Sequence, residues 1–235
     1  MDSLKTLVFI HGWGVSSKIF EPLFYYLQDD FEIFTVDLPG FGQTPIEKPM
    51  ALKDYADFVH KFLKDNKIEQ PIIIGHSFGG AVATKLALIY SDSISKLILV
   101  DASAIRRPQR KMILLQKITP ILKPIISEKL RQLILKLLKL DKTDWTQIKN
   151  INLKETFKKV IIENLKYDLF LIKSPTLIVW GENDKITPLD EGKLIARTIP
   201  GAKIEIIKNT GHFPFLEKPE EFIRLIREFC LEIKN

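Results

Sequence analysis

The sequence predicts an α/β fold, a mostly or wholly parallel sheet of about six strands with helices on both faces. Two observations predict it. Six short runs rich in Ile, Val and Leu recur at residues 6–10, 32–36, 71–75, 96–100, 176–180 and 203–207. They are almost continuously apolar, as strands covered on both faces are. The segments between them have helical spacing instead. In residues 52–63, Tyr55, Phe58, Val59, Phe62 and Leu63 fall on one side. Strand and helix in alternation imply parallel strands joined by crossover helices. A chain of 235 residues suits one such domain. In these sheets ligands bind beyond the carboxyl ends of the strands, so the loops there are read first.

The first run ends in Phe9-Ile10-His11-Gly12-Trp13-Gly14, a loop whose glycines let backbone approach a ligand closely. Trp13 is the candidate for a backbone N–H donor and a pocket wall. His11 is expected to hold the loop by hydrogen bonds. The second run ends in Asp37-Leu38-Pro39-Gly40-Phe41-Gly42.

The third run carries the strongest signal, Gly75-His76-Ser77-Phe78-Gly79-Gly80. A serine flanked at two residues on each side by glycine, between strand and helix, fits a very sharp turn. The turn lifts the Ser77 hydroxyl above the sheet. It also leaves the Phe78 N–H at a helix start, where developing negative charge is stabilised.

A serine hydroxyl needs a base to take its proton. Of the four histidines, His11, His60, His76 and His212, only His212 follows Ser77 in the chain beyond the motif itself. It lies in Gly211-His212-Phe213-Pro214, just after the last strand, and Phe213 is expected to line the site. His60 falls on a helix and reads as a surface or packing residue. The base needs an acid to fix its tautomer. Asp184, in Trp180-Gly181-Glu182-Asn183-Asp184, is the candidate, with Asp101 at the end of the fourth run as its rival. Glu182 reads as a loop-structuring carboxylate.

The alternation breaks after the fourth run. Residues 105–171 hold no convincing strand but show helical patches at 110–119, 127–140 and 153–165, broken by Pro108, Pro120 and Pro124. The expected organisation is a core of residues 1–104 and 172–235 with a helical insertion at 105–171. From Arg106 to Lys173 there are 17 Lys/Arg and 6 Asp/Glu, a net +11, while the rest carries 18 against 23, a net −5. This charge suits lysines solvating the outer face of the insertion. It could also attract an acidic carrier protein, or set the amphipathic patch around Glu128–Lys139 on anionic lipid.

The rest of the composition excludes several classes. One cysteine, Cys230, rules out an internal disulfide, and its place in an amphipathic helix points to packing. No secretory leader and no long uncharged apolar run are present, so a cytoplasmic location without an integral membrane segment is expected. No motif points to nucleic acid or to a metal.

Taken together, the loops quoted above resemble the α/β-hydrolase superfamily over nearly the full length. The resemblance implies a serine hydrolase with Ser77, Asp184 and His212 as triad. It implies an oxyanion hole at Trp13 and Phe78, no cofactor, and a cap at 105–171. The His-Gly-Trp-Gly loop is similar to that of small bacterial carboxylesterases, including the pimeloyl-acyl-carrier-protein methyl ester esterases. Those enzymes have a tryptophan where this chain has His76. The family usually begins with two further strands; only five residues precede residue 6, so an all-parallel sheet with a shortened edge is expected. The expected activity is hydrolysis of a carboxylic ester through an acyl-enzyme. Two alternatives stand beside it. One is a carbon–carbon bond hydrolase of dienoic diketones, which would need an arginine such as Arg106, Arg107, Arg110 or Arg131 aimed at a substrate carboxylate. The other is a non-catalytic ligand-binding protein on the same scaffold.

Overall fold

The computed structural model of the chain describes residues 4–106 and 150–231. The six expected runs are all strands: β1 (Lys5–Ile10), β2 (Phe31–Val36), β3 (Ile72–His76), β4 (Lys96–Val100), β5 (Thr176–Gly181) and β6 (Lys203–Ile207). Their order is β2-β1-β3-β4-β5-β6, and every neighbouring pair is parallel. The described helices are α1 (Glu21–Leu27), α2 (Leu52–Asp65), α3 (Phe78–Ile89), α4 (Ile151–Val160), α5 (Leu189–Thr198), α6 (Pro214–Glu217) and α7 (Pro219–Leu231).

The period of two along each strand sorts side chains into two cores. Val8, Ile73, Leu99 and Ile178 face α2, α3 and α5. Phe9, Ile74, Val100 and Val179 face α1, α6 and α7. All eight are essentially inaccessible to water, and burying each side chain contributes about 1.5–3 kcal/mol. Cys230 is packed in the second core, as expected, and burial pushes its thiol up to about 12.

The reading of six doubly covered strands fails at both sheet edges, at β2, where Glu32 is exposed and Ile33, Phe34 and Thr35 are partly buried, and more clearly at β6. β6 is an edge strand, and Lys203, Glu205 and Ile206 are exposed. Its sequence, Lys-Ile-Glu-Ile-Ile, alternates as a half-covered strand should.

Of the three helical patches expected in the insertion, those at 110–119 and 127–140 lie outside the described residues, as do Arg107, Arg110 and Arg131. The third is α4 followed by two short 3-10 turns, Leu165–Tyr167 and Leu169–Leu171. Asn150 caps α4 by accepting from the N–H groups of Asn152 and Leu153. The helix is fastened to the loop after β2. Asn152 Nδ2 donates to the Glu47 carbonyl at 2.8 Å, and Thr156 Oγ1 accepts from the Met50 N–H at 2.8 Å. Among the described residues no helix is long and apolar enough to cross a membrane.

Candidate active site

The turn from β3 into α3 is built around one strained residue. Ser77 has φ 53 and ψ −116, close to the first central position of a type II′ turn, which glycine dominates. The surrounding backbone fixes it there. Its N–H donates to the Val100 carbonyl at 3.0 Å, and its carbonyl accepts from Gly80, Ala81 and Ser103 N–H groups at 3.0–3.2 Å. Such overdetermined strain is usual where a side chain must be presented for chemistry.

The two flanking glycines serve different contacts. A side chain on Gly75 would strike the Gly79 carbonyl and Ala83, so this one relieves crowding within the turn. A side chain on Gly79 would instead strike the carbonyls of Ile10 and His11 at the end of β1. Gly79 is small because α3 starts against the neighbouring strand. Backbone carbonyls cannot step aside, so Gly79→Ala is expected to destabilise the fold by about 3 kcal/mol, read by urea unfolding.

Three loops bring the expected side chains together. His212 Nε2 lies 3.0 Å from Ser77 Oγ, and His212 Nδ1 lies 2.7 Å from Asp184 Oδ2. Asp184 is held from its other side. Its Oδ1 accepts from the N–H groups of Ile186 at 2.7 Å and Thr187 at 3.1 Å, and its Oδ2 accepts from Thr187 Oγ1 at 2.6 Å. Trp180 fixes this loop in turn by donating Nε1–H to the Thr187 carbonyl at 2.8 Å. Burial alone would raise the Asp184 carboxyl. The hydrogen bonds from His212, Thr187 and Asp101 outweigh it and hold the group well below the usual carboxylate range. Asp184 is therefore an anion at neutral pH. With Nδ1–H donated to it, the imidazole presents the Nε2 lone pair to Ser77.

His212 stands after an edge strand, yet it reaches the sheet centre because its loop is clamped. His76 Nε2 donates to the His212 carbonyl at 2.8 Å. Burial and then the charge of His212 push His76 down to about 3, so it is a neutral donor. The Glu217 carboxylate accepts from Gly211 N–H at 2.9 Å and from Phe213 N–H at 3.3 Å, one residue on either side of the histidine. Neither contact is legible in the sequence, because each depends on how the loop folds back. Glu217 is exposed and does not hold the core. Glu217→Ala is expected to lower kcat roughly ten- to hundredfold with KM little changed, since the loss is of positioning. Steady-state kinetics on a chromogenic ester check this.

Of the expected binding residues, Phe78 directly follows Ser77, Trp13 packs its ring against Phe78, and Phe213 directly follows His212. The Gly12 backbone runs beside Ser77, since a Cβ on Gly12 would sit 3.2 Å from the Ser77 Cβ. Phe78 is the first residue of α3, so its N–H has no acceptor within the helix. The Trp13 ring lies 4.9 Å from Phe41, 5.2 Å from Phe78 and 5.0 Å from Phe157 of α4. Phe213 packs 5.1 Å from the His76 ring. The rings of Trp13, Phe41, Phe78 and Phe157 form one aromatic cluster that reaches α4.

The remaining candidates fall outside this hydrogen-bonded run. His11 is buried, donates Nδ1–H to the Gly12 carbonyl at 2.7 Å and accepts at Nε2 from Leu38 N–H at 3.0 Å. Burial lowers its pKa, so it acts as the neutral loop holder expected. His60 stacks on Tyr90 at 3.8 Å on the flank of α2. Glu182 accepts from Asn209 N–H and orders the loop after β6. Arg106 Nη2 donates to the Val160 carbonyl at 3.4 Å, so this end of the guanidinium is turned to α4. Asp101, Asp184 and His212 bring one ligand-type atom each within 4.8 Å of one another. A cation there would have to displace the donors that already occupy both oxygens of Asp184.

Comparison with known proteins agrees with this fold. The chain matches the alpha/beta hydrolase family over residues 7–225. It is 31% identical to the AB hydrolase superfamily protein YisY of Bacillus subtilis (strain 168), over 96% of this chain and 91% of that protein. It is 30% identical to a pimeloyl-acyl-carrier-protein methyl ester esterase of Legionella pneumophila (strain Corby), over 95% and 94%. Its fold superposes on an esterase from Exiguobacterium antarcticum with a TM-score of 0.77 at 21% identity, covering 98% of this chain and 93% of that one. With a six-stranded parallel sheet, a strained serine turn at its centre and a family match along most of its length, the chain belongs to the alpha/beta hydrolase family.

Proposed function

We propose that the protein hydrolyses a carboxylic ester with a mainly apolar acyl or alcohol part, through an acyl-enzyme on Ser77. The hydrogen-bonded run from Ser77 through His212 to Asp184 is the observation that carries this reading. His212 Nε2 takes the hydroxyl proton as Ser77 Oγ attacks the carbonyl carbon. The N–H groups of Trp13 and Phe78 receive the charge that develops on the carbonyl oxygen. Asp184 stabilises the imidazolium. His212 then gives the proton to the leaving alcohol, and afterwards takes one from the water that releases the acid.

Substrate class follows from the walls. Trp13, Phe78, Phe213 and Phe157 favour an apolar group beside the serine, and relatives named as methyl ester esterases support an ester. Residues 105–171 are read as a cap between the two parts of the core. Their positive charge favours an acyl group presented on an acidic carrier.

A fluorophosphonate followed by intact mass measurement tests the reading. One adduct per chain at Ser77, with turnover of p-nitrophenyl esters, is the expected result. An adduct without ester turnover would favour the carbon–carbon hydrolase. No adduct would leave a binding protein.

A further inference from the structure

Asp101 is a buried carboxyl that the proposed reaction does not use. It directly follows β4 with φ 43, a left-handed backbone that its N–H bond to the Val179 carbonyl at 3.1 Å helps to hold. Its side chain is fully buried. The two oxygens have unlike surroundings. Oδ1 accepts the Gly181 N–H at 3.0 Å. Oδ2 is buried with no donor facing it. One oxygen of the carboxyl, one oxygen of Asp184 and a ring nitrogen of His212 lie within 4.8 Å of one another.

An ionised carboxylate does not fit this place. It would keep one oxygen desolvated and unpaired, next to a second anion, and both conditions disfavour charge. The other charge acting on it, Glu217 of α6, contributes least and is also negative. A protonated carboxyl does fit. Its Oδ2–H is a donor, and the neighbouring Asp184 is an acceptor.

We propose that Asp101 is a neutral carboxylic acid at neutral pH that donates its proton to Asp184, so that the triad's acid is a hydrogen-bonded carboxyl pair carrying one negative charge. Asp101 is then a positioning residue. It acts on His212 only through Asp184, which it holds from behind and whose charge it shares. Burial, then the contact with Asp184, pushes the Asp101 carboxyl up to about 9. The inference rests on the reading of Asp184 as the triad's acid, but its test does not use catalysis.

The same state sets the sign of a stability effect. The unfolded carboxyl ionises near ~3.9, and the folded one far higher. Between the two values the folded chain holds the extra proton, so this group lowers stability as pH rises. Asp101→Asn keeps both hydrogen bonds, with Nδ2–H toward Asp184 and Oδ1 toward Gly181, and removes the titration.

Thermal unfolding of the full chain and of Asp101→Asn, from about pH 5 to about pH 8, is one test. The Tm difference should move in favour of the variant by several degrees as pH rises; a flat or falling difference overturns the proposal. Infrared spectra of the 13C-aspartate-labelled protein at neutral pH are the other. A protonated-carboxyl stretch that shifts with the label and disappears in Asp101→Asn is expected. No such band in the parent, or one that survives the substitution, overturns it. The parent spectrum decides even if the variant does not fold. Both readouts stand whether or not the protein cleaves esters, which the fluorophosphonate experiment decides separately.

Discussion

Ser77→Ala is expected to lose roughly six orders of magnitude in kcat on an activated ester, the loss typical when a triad's nucleophile is removed. The same variant should take up no fluorophosphonate. What remains would be the residual rate that an oxyanion hole and binding alone sustain. Ser77→Gly separates this chemical loss from the backbone. It should be as inactive as Ser77→Ala, yet unfold at a higher temperature. At φ 53 and ψ −116 any Cβ is strained, and glycine is not. The expected gain over Ser77→Ala is about 1 kcal/mol. Calorimetry beside kinetics reads both parts. Turnover by Ser77→Ala within tenfold of the parent would sink the nucleophile assignment. Equal stability of the two variants would mean that the turn is not strained.

That pairing of strain and activity explains why the centre of the site was legible in the sequence. A turn that demands glycine on both sides of a serine leaves a local mark, and chain order then leaves a single histidine beyond it. Most of the sheet was legible for a similar reason. Strands covered on both faces show it in consecutive residues. β2 and β6 are marked as strands by the same signal, but their place at the sheet edges is hidden because so short a run hardly separates alternating from continuous apolar residues. The supports of the site were not legible. His76 meets His212 across 136 residues, and Asp101 meets the Gly181 N–H across 80. Glu217 is near His212 in sequence, but its role depends on the single turn of α6 bringing its last residue back onto the loop. Such contacts come from the register of neighbouring strands, which spacing and composition do not encode. Gly79 is intermediate, since its motif predicted a small residue while the contact that requires it belongs to another strand.

Asp184→Asn is expected to lower kcat by about 10⁴ while leaving KM nearly unchanged, because Asp184 orients the base and borders no substrate. The loss follows from how this side chain is held. Oδ1 faces two backbone donors, the N–H groups of Ile186 and Thr187 at 2.7 and 3.1 Å. An asparagine must keep its carbonyl oxygen there, since its NH₂ would meet two other donors. Its NH₂ is then forced into the place of Oδ2, facing His212 Nδ1. The imidazole can meet a donor only with its Nδ1 lone pair, so its proton moves to Nε2. That nitrogen faces Ser77 Oγ at 3.0 Å and can no longer accept the hydroxyl proton. The substitution is isosteric and keeps the loop's backbone hydrogen bonds, so the variant should fold and still bind a substrate-like acid. Ring-nitrogen shifts of His212 in ¹⁵N NMR check the cause directly. The parent should carry its proton on Nδ1 and the variant on Nε2. A variant with the parent's tautomer and near-parent turnover would mean that another group orients His212, and the triad would have to be redrawn around it.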